Sequence, residues 1–504
     1  MAESSRIRLT RLANSVLQPG FVGTTAPDWV RRRIADGLAS VVLFGRNIVD
    51  PEQVTALTAS LRAENPDLII AIDEEAGDVT RLEARTGASR PGNLALGAID
   101  DVDLTEQVAR DIGRQLHAVG VSLNYAPSCD VNSNPMNPVI GVRSFGARTD
   151  VVARHTAAWI RGLQSAGVAA CAKHFPGHGD TNVDSHHGLP QVTADAEEIA
   201  RVALPPFTAA MEAGVRTVMT AHMLIPAYDT ELPATLSPRV IQGLLRDRLG
   251  FTGLVVTDGI EMGAVSDLYG ITGATVRAVA GGVDAVCVGG ESAEEATTVD
   301  LADALVDAVL DGTLPEERLA RASRRVGEFA TWSAGLARST RPDRSGSDIG
   351  LVAARRAVHV HTKPGTGVAF PLAGEAHVVE LSPTTNLAID GRTPWGVADP
   401  LRALRPGTTS VRITESELSG GDDLLDRVAL APAADRALVV VVRDAARYRW
   451  MSQALEGLVR RRPDTLVVEM GLPADDRPGA VHLATHGATR VSGIAAAEVL
   501  VGAS

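Results

Sequence analysis

The chain has 504 residues, of which 45% are hydrophobic and 22% charged. That length accommodates two or three ordinary domains or a large barrel with a second domain, and the composition excludes a disordered, fibrous or disulfide-scaffold protein. Lys and Arg number 48 against 61 Asp and Glu, a formal net charge of −13 with no basic block, which disfavours nucleic acid or an acidic membrane as the main partner because phosphate contacts need clustered cations.

From the N-terminus, MAESSRIRLTRLANSVL carries early charges but no apolar core of a secretory signal. No apolar run reaches the ~18 residues of a membrane span, so a cytoplasmic protein is expected. Cys129, Cys171 and Cys287 are far apart, odd in number and set in or beside apolar runs, and they read as core thiols. Short apolar runs then recur, each followed by a polar loop and a helix-patterned stretch. They cover 40–44, 67–72, 119–125, 167–172, 215–221, 253–257 and 282–288, with residues 12–17 as a weaker first member. Continuous apolar runs without alternation suit strands buried on both faces, hence a parallel sheet with helical crossovers. Eight such units predict a (β/α)8 TIM-type barrel over residues 1–333, with an open doubly wound sheet as the structural alternative.

Residues 334–347 are rich in Arg, Ser, Gly and Pro and read as a linker. A second set of runs follows at 375–381, 408–413, 436–443, 464–470 and 480–484, with helices at 449–461 and near 491–501. These predict a smaller α/β sandwich domain over 348–504. His482 and His486 are four apart, but AVHLATHG reads as a strand entering a loop, so no metal pair is expected there.

Polar residues fall on the strand ends. Asp73 follows LIIAI, Lys173 and His174 follow GVAACA, His222 follows VRTVMTA and Asp258 follows GLVVT. In a (β/α)8 barrel these ends converge on the face that carries the active site. One such Asp is explained as a helix cap; the set is not. The densest stretch is 173–187, KHFPGHGDTNVDSHH, which holds His174, His178, His186 and His187. Its spacing matches no helical metal-binding pair, and the glycines and proline make it a shaped loop. Asp184 and His186 are two apart, so in extended chain both side chains reach the same side. A carboxylate on an imidazole fixes its tautomer and suits it to general acid/base work near neutral pH. Asp258, from another strand end, is the natural carboxylate nucleophile. No cofactor and no metal are expected.

KHFPGHGDTNVDSH, with VVLFGRNI, IDEEAGDVTRL, VIGVRSFG, MTAHMLIPAYD, PATLS and VVTDGIEMGAV, resembles the family-three glycoside hydrolases, in particular their bacterial β-N-acetylglucosaminidase branch involved in peptidoglycan recycling. The likeness covers nearly the whole barrel, and the second domain resembles that of two-domain members more weakly. The resemblance implies an exo-acting, retaining mechanism. Asp258 would be the nucleophile, and His186 the acid/base supported by Asp184. Asp73, Arg81, Arg143, Lys173 and His174 would bind the sugar, and His222 is a further candidate. Two departures stand out. Glu75-Ala76-Gly77-Asp78-Val79 replaces the family's E-G-G-R-V, so Asp78 stands for an arginine, and Gly259 follows the nucleophile where relatives often carry a larger residue.

Three alternatives stand beside this reading. A neutral imidazole does not repel a phosphate dianion, so the same site suits a phosphorylase that uses inorganic phosphate as a second substrate. A β-glucosidase is the neighbouring hydrolase, and a sugar-binding protein without catalysis is the third. Aromatic residues are only 3% of the chain, which fits a small charged pocket for one terminal sugar better than a stacked platform for polymer.

Overall fold

The computed structural model describes residues 2–186, 188–341, 347–366, 368–384, 388–418 and 423–503. Two compact units emerge. The first comprises Met1–Glu75, Val102–Ile140 and Gly146–Gly346, and the second Ala76–Asp101, Gly141–Phe145 and Ser347–Ser504.

The first unit is built on eight short strands: β1 (Leu17–Pro19), β2 (Ser40–Leu43), β3 (Ile69–Ile72), β4 (Leu123–Asn124), β5 (Ala169–Phe175), β6 (Thr217–Thr220), β7 (Leu254–Thr257) and β8 (Val286–Val288). Strands β2 to β7 form one parallel sheet in chain order, and β1 pairs in parallel with β8. A bridge between Val256 and Ala285 joins β7 to β8, and Ser40 Oγ donates to the Leu17 carbonyl at 3.3 Å between β2 and β1. Each strand is buried along its length, as the uninterrupted apolar runs require. Alternate residues (Ile69 and Ala71, Ala169 and Cys171, Leu254 and Val256, Ala285 and Cys287) share one core with Val326, Phe329 and Ala330 of the helix Glu316–Ser339, the period of two expected of strands. All three cysteines are buried free thiols.

The chain departs from expectation at both ends of this unit. Residues 12–15 are the end of a helix, Ala2–Ser15, and the first strand begins only at Leu17. The stretch expected to open the linker continues the helix Glu316–Ser339; residues 342–346 of that linker lie outside the described residues.

In the second unit, β9 (His359–Thr362), β10 (Ala376–Ser382), β11 (Thr409–Thr414), β12 (Ala437–Val442), β13 (Leu466–Glu469) and β14 (Val481–Ala484) form one sheet in the order β11-β10-β12-β13-β14-β9. All pairings are parallel except β14 with β9. The alternating side chains of the central strands feed two cores. Val378, Val439, Val441 and Val468 pack with Leu401, Ala496 and Leu500 on one face, and Val379, Val440, Val442 and Val467 with Met451, Leu455 and Leu458 on the other. The result is a layered sandwich with the helices Ala398–Leu404 and Arg490–Val501 on one side and Arg449–Arg461 on the other. Strand β9 was absent from the sequence reading because its four residues, HVHT, are exposed and half of them are histidine.

Candidate active site

Within the first unit, four strands deliver their terminal polar residues. Asp73 follows β3 directly, and Asn124 of β4 holds the turn behind it: its Oδ1 accepts from Glu74 N at 2.9 Å and its Nδ2 donates to Glu74 O at 2.7 Å. Lys173 and His174 were expected just beyond a strand. They lie instead within β5, where the register to β6 shifts between Ala172 and Phe175, a bulge that re-aims side chains at a strand's end. Lys173 is almost fully buried, and its ammonium bridges Asp73 at 2.5 Å and Glu75 at 2.7 Å. His174 donates from Nδ1 to Asp130 Oδ2 at 2.7 Å, and its Nε2 stands 4.0 Å from Asp258 Oδ2.

Asp130 is completely buried and carries much of the loop's architecture. Besides the His174 ring it accepts from the backbone N–H groups of His174 and His178 at 3.2 and 2.6 Å and from Ser128 Oγ at 3.0 Å. Burial alone would raise its carboxyl, but His174, His178 and these donors hold it below its ordinary value. The loop beyond is packed closely enough to require glycine at 179, where a Cβ would fall 1.7 Å from the Val131 carbonyl oxygen. His178 is buried, bonds Thr181 Oγ1 through Nδ1 at 2.9 Å, and burial lowers its pKa to about 4.

The Asp184–His186 pair forms as the spacing suggested. Asp184 Oδ1 accepts from both the ring Nδ1 and the backbone N–H of His186, at 2.7 and 2.9 Å. The loop that carries the pair is tied to the one that carries Asp258, since Ala264 N donates to the Ser185 carbonyl at 3.2 Å. His187 lies outside the described residues. Asp258 follows β7 directly and is 27% exposed at its side chain. Its burial would raise the carboxyl, yet His174, His222, His186 and Lys173 together hold it well below the usual carboxylate range. It is a carboxylate kept ionised by three imidazoles and one ammonium.

His222 sits one residue beyond β6 and is fully buried. Its Nε2 donates to the Gly259 carbonyl at 2.9 Å, and its Nδ1 meets Thr235 Oγ1 at 2.8 Å. It therefore clamps the turn of the nucleophile candidate. Gly259 N donates to Asp258 Oδ1 at 2.8 Å, and a Cβ at 259 would meet only ordinary contacts from 3.4 Å outward. The turn is held by hydrogen bonds, so glycine here does not leave it slack.

Arg81 and Arg143 belong to the second unit. Arg81 Nη1 donates to the Ala388 carbonyl at 2.9 Å, and Arg143 is buried, its carbonyl accepting from Asn93 Nδ2 at 2.8 Å. Asp78, whose charge opposes the family pattern, is buried in the same unit. It pairs with Arg443 and accepts from Ala488 N at 2.8 Å, so the reversed charge has its own cation. Asp130, Glu75, Asn124 and Thr235 escaped the sequence reading. Asp130 lies five residues beyond Tyr125, past Ala126-Pro127, where inspection of the first residue after each strand does not reach.

The Glycosyl hydrolase family 3 N terminal domain matches residues 23–329. The chain is 34% identical to a beta-hexosaminidase of Chromobacterium violaceum over 367 residues, 71% of this chain and 96% of the relative. It is 38% identical to Beta-hexosaminidase A of Pseudoalteromonas piscicida over 284 residues, 52% of this chain but about half, 47%, of that relative's length. Its fold overlays that of a family 3 beta-N-acetylglucosaminidase from Paenibacillus sp. str. FPU-7 with a TM-score of 0.84 and 33% identity, covering 98% of this chain and 96% of the other.

Proposed function

This chain belongs to glycosyl hydrolase family 3, and we propose that within it the protein is an exo-acting, retaining β-N-acetylglucosaminidase that removes terminal GlcNAc from small soluble glycosides derived from peptidoglycan or chitin. The observation that carries this reading is the pairing of His186 with Asp184 beside an ionised Asp258. With Nδ1 committed to Asp184, Nε2 is the nitrogen that handles the proton. In the first step an Asp258 oxygen bonds to C1 while the C1–O bond to the leaving group breaks and His186 Nε2 gives that oxygen its proton. In the second, His186 takes a proton from water, whose oxygen attacks C1 and frees Asp258. The sugar is held by Asp73, Lys173 and His174 at the strand ends. Arg81 and Arg143 enter this reading from the family motif. His222 acts through Gly259 as a positioning residue.

The named activities of the relatives support an N-acetylhexosaminide over a glucoside. The decisive experiment follows an aryl β-GlcNAc substrate in phosphate buffer. Release of free GlcNAc with retained configuration, a preference over the aryl glucoside, and a loss of about 10⁴-fold or more in kcat for Asp258→Asn are expected. Exclusive release of GlcNAc 1-phosphate makes the protein a phosphorylase instead, and unchanged turnover in the variant removes Asp258 from the mechanism. A role in recycling such fragments goes with a cytoplasmic protein in this proposal, which cell fractionation tests.

A further inference from the structure

The described residues hold a second gathering of histidines, in the second unit. Strand β9 runs antiparallel to β14 with His361 directly opposite His482 and His359 opposite Ala484. Residues two apart on a strand share a face, so His359, His361 and His482 lie on one side of this sheet edge, and His486 follows just beyond. Together with Asp475 and Arg477 they line a cavity of about 170 Å³.

Two of the rings are already engaged. His359 and His486 stack edge to face at 4.9 Å, and His486 Nδ1 donates to the Ala357 carbonyl at 3.0 Å. His482 differs. It is only 6% exposed, and neither of its ring nitrogens has a hydrogen-bond partner among the described residues. Among those residues only the Pro478 backbone comes near enough to act as a hydrogen-bond acceptor for the ring, outside good hydrogen-bond geometry. A buried ring with both nitrogens unanswered is costly, and an ion or water is the usual resolution.

We propose that His361 and His482 form a two-imidazole site for a divalent transition-metal ion of the zinc, nickel or copper kind, which clips the edge strand β9 to β14. Side chains directly opposite on paired strands have Cβ atoms ~4.5–5.5 Å apart, which lets two rings converge on one ion at ~2.0–2.1 Å. Neutral imidazole suits these metals. Among the described residues no three His, Cys, Asp or Glu side chains gather so as to hold a metal ion, so the proposed site has two protein ligands. Water would complete the coordination, and Asp475 lines the same cavity. His361 is exposed, which leaves the ion a path in. Strand β9 is an edge strand paired on one side only, with β14, so a cross-strand clip adds most there.

The test uses the full chain stripped of metal by chelation and titrated with Zn²⁺ and, separately, Ni²⁺ at neutral pH, with binding followed by calorimetry and Tm by fluorescence. One ion per chain and a rise in Tm of ~3 °C at saturation are expected. His361→Ala, an exposed position, is expected to weaken binding by about tenfold or more, whereas His359→Ala, on the same strand and face, leaves it intact. The barrel's own imidazoles are controlled with His186→Ala. Binding that is lost in His186→Ala and kept in His361→Ala overturns the proposal, as does the absence of any bound ion at millimolar metal.

Discussion

The histidines of the barrel loops and those of the sheet edge in the second unit are treated by the fold in opposite ways. In the barrel the four rings at the strand ends and in the loop after β5 are anchored by named partners: His174 by Asp130, His178 by Thr181, His186 by Asp184, and His222 by Thr235 and the Gly259 carbonyl. At the sheet edge His486 has a backbone carbonyl and His482 has no partner among the described residues. An imidazole fixed at one nitrogen has a set tautomer and an aimed second nitrogen, which proton transfer and positioning need. An imidazole without an anchor keeps its lone pair for whatever enters the cavity. In the roles proposed above the same residue type serves two chemistries, and its partners rather than its spacing separate them.

Four measurements bear on that contrast. The largest effect is expected for His186→Ala, which should lower kcat by about 10³-fold on substrates with poor leaving groups. A dinitrophenyl glycoside, which leaves without protonation, should be largely spared; an equal loss on both would mean that the ring does not deliver the proton. Next, Asp130→Asn removes a buried carboxylate that serves several donors, and a loss of about 3 kcal/mol is expected, read from urea unfolding. Asp475→Asn at the sheet edge, without such a network, should leave stability nearly unchanged in the absence of metal.

The third concerns acid. Burial lowers His178 and His486 from an ordinary 6.5 to about 4 in the folded chain, His359 adding to the effect at His486. Between those values the unfolded chain binds the protons that the folded chain refuses, so the stability these rings contribute is full above pH 6.5 and is lost as the pH falls toward 4. Glu469 acts with the opposite sign. Its burial and the nearby Asp444 raise it from 4.5 to about 8, and its contribution falls as pH rises through that range. Comparing wild type with His486→Asn from pH 7 to 4 isolates the histidine, and the variant should show the shallower slope. The smallest effect is expected for Thr235→Val, which takes the Nδ1 partner from His222. It should cost about 1 kcal/mol in stability and slow turnover severalfold, with KM unchanged. A rise in KM alone would place His222 in sugar binding and not behind Asp258.

Much of this was legible before any coordinates. The barrel strands announced themselves because they are buried on both faces and therefore uniformly apolar, and Asp73 and Asp258 stood out because a charge ends each run. The Asp184–His186 pair was legible because two residues in extended chain share a side. Strand β9 was not, since HVHT carries no apolar signature and depends on β14 for its form. Asp130 was hidden by distance along the chain, and the role of His222 depends on Thr235 and Gly259, which no spacing connects. The surroundings of Asp78 were hidden for the same reason, because Arg443 and Ala488 lie hundreds of residues away.

That last pairing has a consequence for how the polypeptide can be divided. The stretch Ala76–Asp101 leaves the first unit after β3 and belongs by its packing to the second, where Asp78 is locked to Arg443 and Ala488 and where Gly350 lies against Ser89. A protease cut near residue 347 would sever the backbone without releasing a self-sufficient module, because part of the second unit is encoded inside the first. Swapping the C-terminal half for that of another protein would leave this inserted stretch facing a foreign surface. The two halves must therefore be engineered as a pair.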